Sequence, residues 1–226
     1  KPTSQDLKNV EVILFDIQDV GVRFYTYIST LSLVMEAAAE QNIPVVVLDR
    51  PNPNGHFVDG PVLELEHSSF VGMHPVPMVH GLTVGEYATM VNREGWLPQD
   101  LRCDLSVVEC QNYSHDTRYE LPVAPSPNLP NRAAVLLYPS LALFEGTNVS
   151  VGRGTSQPFQ LFGAPYFKEY DTTFIPQDRP GARNPKYESR KCRGFRVGEF
   201  AHFYLEGAGE LYLYWLQGAL EMSPDK

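Results

Sequence analysis

Val10-Glu11-Val12-Ile13-Leu14-Phe15-Asp16 is a short apolar run that closes on a carboxylate. A run of this length predicts a strand buried in a parallel sheet rather than a helix. Asp19, Gly21 and Arg23 then form a turn in which Arg23 is expected to pair with Asp19. From Tyr27 to Glu40, the residues Ile28, Leu31, Val34, Met35 and Ala38 recur at steps of three and four, which predicts a helix with one packed face. Gln41 and Asn42 stop it, and Ile43 to Leu48 repeats the first apolar pattern, closing on Asp49 and Arg50. Strand, helix and strand of this size make a right-handed crossover unit, so the two strands are parallel neighbours. Asp16 and Asp49 then share the carboxyl edge, where open α/β sheets place their ligands.

Working outward, Pro51-Asn52-Pro53-Asn54-Gly55 is neither helix nor central strand, because its prolines remove donors and fix φ. Thr83 with Glu86 three residues later predicts a capping box, with Tyr87, Met90 and Val91 on the buried face of the helix that follows. Leu105 to Val108 is a third strand candidate. Ala124 to Pro130 is a rigid, Pro-rich loop, and the apolar stretch from Ala133 to Leu143 suits helix and strand equally. Beyond Phe159 the chain is loop-rich, with a strand expected at Cys192–Val197 and an amphipathic helix at Leu211–Leu220. The expected organisation is an α/β domain over residues 1–157 and the start of a smaller α+β domain over 158–226.

The chain has 226 residues, 43% of them hydrophobic, and a net charge of −9. It contains no apolar run long enough to span a membrane as a helix. Its acidity and lack of a basic stripe argue against nucleic acid as a partner. The basic residues between Arg179 and Arg196 are interrupted by Asp178 and Glu188 at and inside the cluster and fit a solvated loop. Cys103, Cys110 and Cys192 lack metal-ligand spacing; a Cys103–Cys110 bridge and two reduced thiols are both compatible with the sequence. Fingerprints of dinucleotide, phosphate-loop and serine-hydrolase sites are absent.

Chemistry concentrates in Phe144-Glu145-Gly146-Thr147-Asn148-Val149-Ser150-Val151-Gly152-Arg153-Gly154-Thr155. This stretch has no apolar period but holds a carboxylate, an amide, hydroxyls and a guanidinium flanked by glycines. Such a loop suits an oxygen-rich ligand. Asp16, Asp19, Asp49 and Glu145 are the acid–base candidates, and Arg50, Asn52, His80, Asn128, Asn148 and Arg153 complete a polar constellation of the kind a glycosidase uses. No cofactor or metal is called for.

Five motifs stand in order along the chain: Phe15-Asp16-Ile17-Gln18-Asp19-Val20-Gly21-Val22-Arg23-Phe24-Tyr25-Thr26-Tyr27, Leu48-Asp49-Arg50-Pro51-Asn52-Pro53, His80-Gly81-Leu82-Thr83-Val84-Gly85-Glu86, Pro125-Ser126-Pro127-Asn128, and Glu145-Gly146-Thr147-Asn148 with Gly152-Arg153-Gly154-Thr155. Together they resemble the exo-β-N-acetylmuramidase (NamZ-like) family, long called a domain of unknown function. The resemblance implies a Rossmann-like α/β domain with a smaller C-terminal part. It also implies a glycoside hydrolase, free of cofactor, that removes N-acetylmuramic acid from the non-reducing end of peptidoglycan fragments. Its place of work would be periplasmic or extracellular. The family's Ser-Pro-Glu-His-Gly motif, which carries its proposed catalytic glutamate, does not occur here. The chain is therefore expected to be a piece lacking the N-terminal strands, with Glu145 and Asp16 as the carboxylates to act and Asp49, Arg50, Asn52, His80, Asn128, Asn148 and Arg153 as substrate holders. A non-catalytic protein that binds cell-wall sugar is the alternative.

Overall fold

The computed structural model describes residues 1–224, which divide into two compact units, Lys1–Tyr119 and a second that begins at Glu120. The division that the sequence suggested at residue 157 falls inside the second unit.

In the first unit, strands β1 (Ile13–Phe15), β2 (Val45–Leu48) and β3 (Leu105–Val108) pair in that order, all parallel. Phe15 lies opposite Val47, so Asp16 and Asp49 leave the same edge, as expected. Helix α1 (Tyr27–Gln41) crosses between β1 and β2. It stops at Asn42, whose left-handed backbone (φ 54°) lets its N–H reach the carbonyls of Ala38 and Ala39. Helix α2 (Val84–Glu94) opens with the expected capping box: Thr83 Oγ1 accepts from the Glu86 N–H while a Glu86 carboxylate oxygen accepts from the Thr83 N–H at 2.8 Å.

Ile28, Leu31 and Met35 from α1 and Tyr87, Ala88 and Val91 from α2 pack with Phe15, Val45 and Val47 as one core. Each such burial stabilises by about 1.5–3 kcal/mol before entropy is counted. The expectation of strands buried on both faces is corrected here. Side chains alternate along a strand, and both helices join the core on the Phe15–Val45–Val47 face, so Leu14 is 62% and Val108 55% exposed.

In the second unit, the undecided stretch is a helix, α3 (Arg132–Leu141), capped by the Asn131 side chain, which accepts from the Ala134 N–H at 3.0 Å. Every residue from Ala133 to Leu141 is buried, so propensity is overridden by packing and even Pro139 is accommodated. A 3₁₀ turn, Ala142–Gly146, carries the chain on into the polar loop. An antiparallel sheet follows, with β4 (Leu161–Ala164), β5 (Thr172–Phe174) and β6 (Cys192–Arg196) ordered β4-β6-β5. Only β6 was visible in the sequence. Gly163 and Gly194 let β4 and β6 approach, since a Cβ on Gly194 would lie 2.0 Å from the Phe162 carbonyl oxygen. The last helix is Tyr214–Met222, starting three residues later than expected.

Thr83 joins helix cap and sheet edge, because its hydroxyl also donates to Asp49 Oδ2 at 2.7 Å. Thr83→Ala should cost about 1–2 kcal/mol, and Thr83→Ser well under half of that. Urea unfolding of the three proteins at one pH tests it; equal midpoints would show that the cap contributes nothing.

Candidate active site

At the carboxyl edge of the parallel sheet, Asp16 accepts from Arg50 Nε at 2.7 Å, and both side chains are more than two-fifths exposed. Such a pair is worth little to stability but stays open to a polar ligand. Asp49 is committed differently. Its carboxylate takes the Arg50 N–H (3.0 Å), the Thr83 hydroxyl and the Gly85 N–H (2.8 Å), fastening the end of β2 to the start of α2. A negative charge there also faces the positive end of the helix dipole. Gly85 admits this carboxylate, since a Cβ would sit 2.8 Å from its carbon.

Asn52 and His80 are both enclosed. Asn52 donates to the Leu82 carbonyl (2.9 Å) and accepts from the Asn54 N–H (2.9 Å), which fixes the Pro-Asn-Pro-Asn turn. His80 Nδ1 accepts from the Leu82 N–H at 3.2 Å, and its Nε2 lies 3.9 Å from Asp19 Oδ2 without a hydrogen bond. Burial holds the His80 imidazole down at about 4 and pushes the Asp19 carboxyl up to about 7, although the Gly21 and Val20 N–H groups favour its charged form. Arg23 does not pair with Asp19 as expected: its Nη1 donates to the Pro61 and Val76 carbonyls, at 2.9 and 2.6 Å. An arginine that satisfies carbonyls of a long loop holds that loop in place instead.

The polar loop belongs to the second unit. Arg153 holds Glu145 in a two-pronged pair, Nε to Oε1 at 2.5 Å and Nη2 to Oε2 at 2.9 Å, and its guanidinium carbon lies 4.9 Å from the centre of the Phe159 ring. The flanking glycines have a different reason from the one the sequence suggested. Gly152 and Gly154 take φ of 76° and 80°, and a Cβ on Gly154 would lie 2.5 Å from the Gln177 carbonyl oxygen. They shape the turn that aims Arg153. Asn148 is exposed; its side-chain oxygen accepts from the Tyr166 hydroxyl at 2.5 Å and its carbonyl from the Tyr187 hydroxyl at 2.6 Å. Asn128, nine-tenths buried, donates to the Gly181 carbonyl at 2.7 Å.

Sequence reasoning missed Lys186, which it placed in a solvated basic stretch. Its ammonium is half-buried against the carbonyls of Phe144, Glu145, Thr147 and Val149. Nothing local signals this, because lysine and loop are about forty residues apart. The three cysteines are free thiols, so Cys103 and Cys110 are not bridged. No helix among the described residues is long and apolar enough to cross a membrane.

Asp19 makes stability pH-dependent with a definite sign. Its carboxyl titrates higher folded than unfolded, so the stability it contributes is present below about pH 4 and lost as pH rises through about 7. Asp19→Asn should therefore gain about 2 kcal/mol on wild type between pH 5 and pH 8. Denaturant unfolding at those two pH values checks it, and a difference that does not change with pH would contradict it.

Residues 1–133 match the family described as exo-beta-N-acetylmuramidase NamZ, N-terminal, and residues 136–217 match its C-terminal counterpart. Over 189 residues, 80% of this chain, the sequence is 48% identical to the peptidoglycan beta-N-acetylmuramidase NamZ of Bacillus subtilis strain 168. The chain spans 44% of that protein's length. Two crystal structures of DUF1343 family proteins from Bacteroides fragilis NCTC 9343 share the fold. One has a TM-score of 0.95 at 46% identity over 99% of this chain and 63% of its own; the other has 0.80 at 30% identity over 100% and 62%. The chain belongs to the exo-β-N-acetylmuramidase NamZ family.

Proposed function

We propose that this chain supplies sugar-binding and acid–base groups to an exo-β-N-acetylmuramidase, a glycosidase that releases N-acetylmuramic acid from the non-reducing end of peptidoglycan fragments. The observation that carries the reading is the 48% identity to a peptidoglycan β-N-acetylmuramidase. The geometry of the polar loop supports it. N-Acetylmuramic acid differs from N-acetylglucosamine by a lactyl ether whose carboxylate is ionised near neutral pH, so a site that prefers it needs a cation. A guanidinium has five N–H donors, and the pair with Glu145 engages two of them. The Nη1 and Nη2 edge of Arg153 retains the parallel donors that a carboxylate can take.

In this reading Glu145 orients Arg153 and is the acid–base candidate of the polar loop, while Asp16, beside Arg50, is the candidate of the first unit taken by itself. Glycoside hydrolysis needs a proton for the leaving oxygen and a carboxylate facing the forming oxocarbenium ion. Asn148 offers amide hydrogen bonds to sugar hydroxyls. Asn52, His80, Asn128 and Asp49 act indirectly, by holding the loops that carry the others. The partners are cell-wall saccharides and not nucleic acid, which the net charge of −9 favours. The working place is periplasmic or extracellular, where such fragments arise.

Kinetics on chromogenic β-N-acetylmuramide and β-N-acetylglucosaminide test this in the full-length protein. Wild type should cleave the muramide. Arg153→Lys should lose about ten- to a hundredfold in kcat/KM on the muramide, equivalent to about 1.5–3 kcal/mol, and far less on any residual glucosaminide cleavage. Equal losses on both sugars would assign Arg153 to the scaffold. Muramide binding without any cleavage would instead support a non-catalytic sugar-binding protein.

A further inference from the structure

The carbonyls at the end of a helix lack intrahelical donors and carry partial negative charge. The run from α3 through the 3₁₀ turn Ala142–Gly146 ends in this way, directly before the polar loop. Partners for the end are few. The Phe144 carbonyl accepts from the Thr147 N–H at 2.9 Å and the Thr147 hydroxyl at 2.8 Å. The Lys186 ammonium meets the same Phe144 oxygen at 3.3 Å, Glu145 O at 3.4 Å, Val149 O at 3.0 Å and Thr147 O as its nearest partner. An ammonium on a side chain has three N–H bonds. Four oxygens around three donors make a cage shaped for a compact cation, not a set of one-to-one bonds. The next residue adds a fifth tie, from the Tyr187 hydroxyl to the Asn148 carbonyl.

We propose that Lys186 is the positioning residue of the active-site loop: its ammonium fills a monovalent-cation site built from the carbonyls of residues 144, 145, 147 and 149, and so sets the loop that presents Glu145 and Arg153. The role of that loop in sugar recognition rests on the function proposed above; the cation site itself does not. An arginine cannot replace this lysine, because a planar guanidinium is broad and its donors diverge, whereas the ammonium is a compact point charge. The ammonium is engaged by backbone carbonyls of the loop, so its assigned role is exercised through the Glu145 and Arg153 that the loop carries.

Amide hydrogen exchange on the full-length protein, without substrate, tests the cation site separately from any activity. Lys186→Met should raise exchange at the Thr147, Val149 and Gly152 amides by about tenfold or more, with Phe195 in β6, paired to β4 away from the loop, unchanged. Ammonium chloride should lower that exchange again, and tetramethylammonium chloride at equal ionic strength should not. Unchanged exchange in the loop, or equal effects of the two salts, would overturn the cation site. If Lys186→Met does not fold, Lys186→Arg serves: faster exchange confined to the loop supports the proposal, and a uniform rise across the second unit overturns it. For positioning, the Lys186 variant should raise KM for the chromogenic muramide about tenfold with a smaller change in kcat, and ammonium should restore KM. An unaltered KM beside a loosened loop would overturn the positioning role while leaving the cage intact. Wild type inactive on the muramide would count against the muramidase reading alone.

Discussion

The two-pronged contact between Glu145 and Arg153 is the constraint around which the polar loop is arranged. Between α3 and β4 the chain has no strand ladder of its own, and three glycines leave it conformationally free in principle. It keeps one shape because its charged groups are tied to one another and to its own carbonyls, with the outer Nη1 and Nη2 edge of Arg153 left over. Glu145 and Arg153 close the loop from within, and the Lys186 ammonium closes it from behind. Phe144 anchors the base by stacking on Phe162, with ring centres 5.0 Å apart and planes within 15°. A loop fixed before any ligand arrives loses little entropy on binding, which is what a site selecting one sugar from a close analogue requires.

The first unit solves a related problem with different parts. There the carboxyl edge of the sheet is made by strand ends, and the polar groups just behind it are sealed. Asp49 is fully engaged by the start of α2, while Asn52 turns back on its own loop. Asp19 and His80 are as deeply buried as Asn52, with the His80 ring against Tyr87, and low dielectric pushes both toward their neutral forms. That leaves Asp16 and Arg50 as the exposed pair at the edge. The gradient from exposed pair to buried groups separates side chains open to solvent from those that hold the scaffold.

Much of this was legible in the sequence, and the limits have physical reasons. The crossover unit, the capping box and the polar loop each rest on local signals: apolar period, a Thr and Glu three apart, clustered glycines. The family was legible from five motifs in order. What stayed hidden is non-local. An apolar run cannot tell a strand covered on two faces from one covered on a single face, so the exposure of Leu14 and Val108 was not foreseen. β4 and β5 are short and owe their form to pairing with β6. Whether an asparagine meets ligand or scaffold depends on where its amide points, and Asn52 and Asn128 point into backbone. Lys186 looked like any surface lysine because its four oxygen partners come from a distant segment.

The central claim is that the paired guanidinium of Arg153 recognises the lactyl carboxylate. Its most direct test is calorimetric titration of the full-length protein with N-acetylmuramic acid and with N-acetylglucosamine at matched pH and ionic strength. The account predicts that the muramic acid binds at least about tenfold more tightly, the yield of one charge-assisted contact. It also predicts that this preference disappears in Arg153→Lys. Equal affinity of the two sugars for wild type, or a preference that survives the substitution, would contradict it.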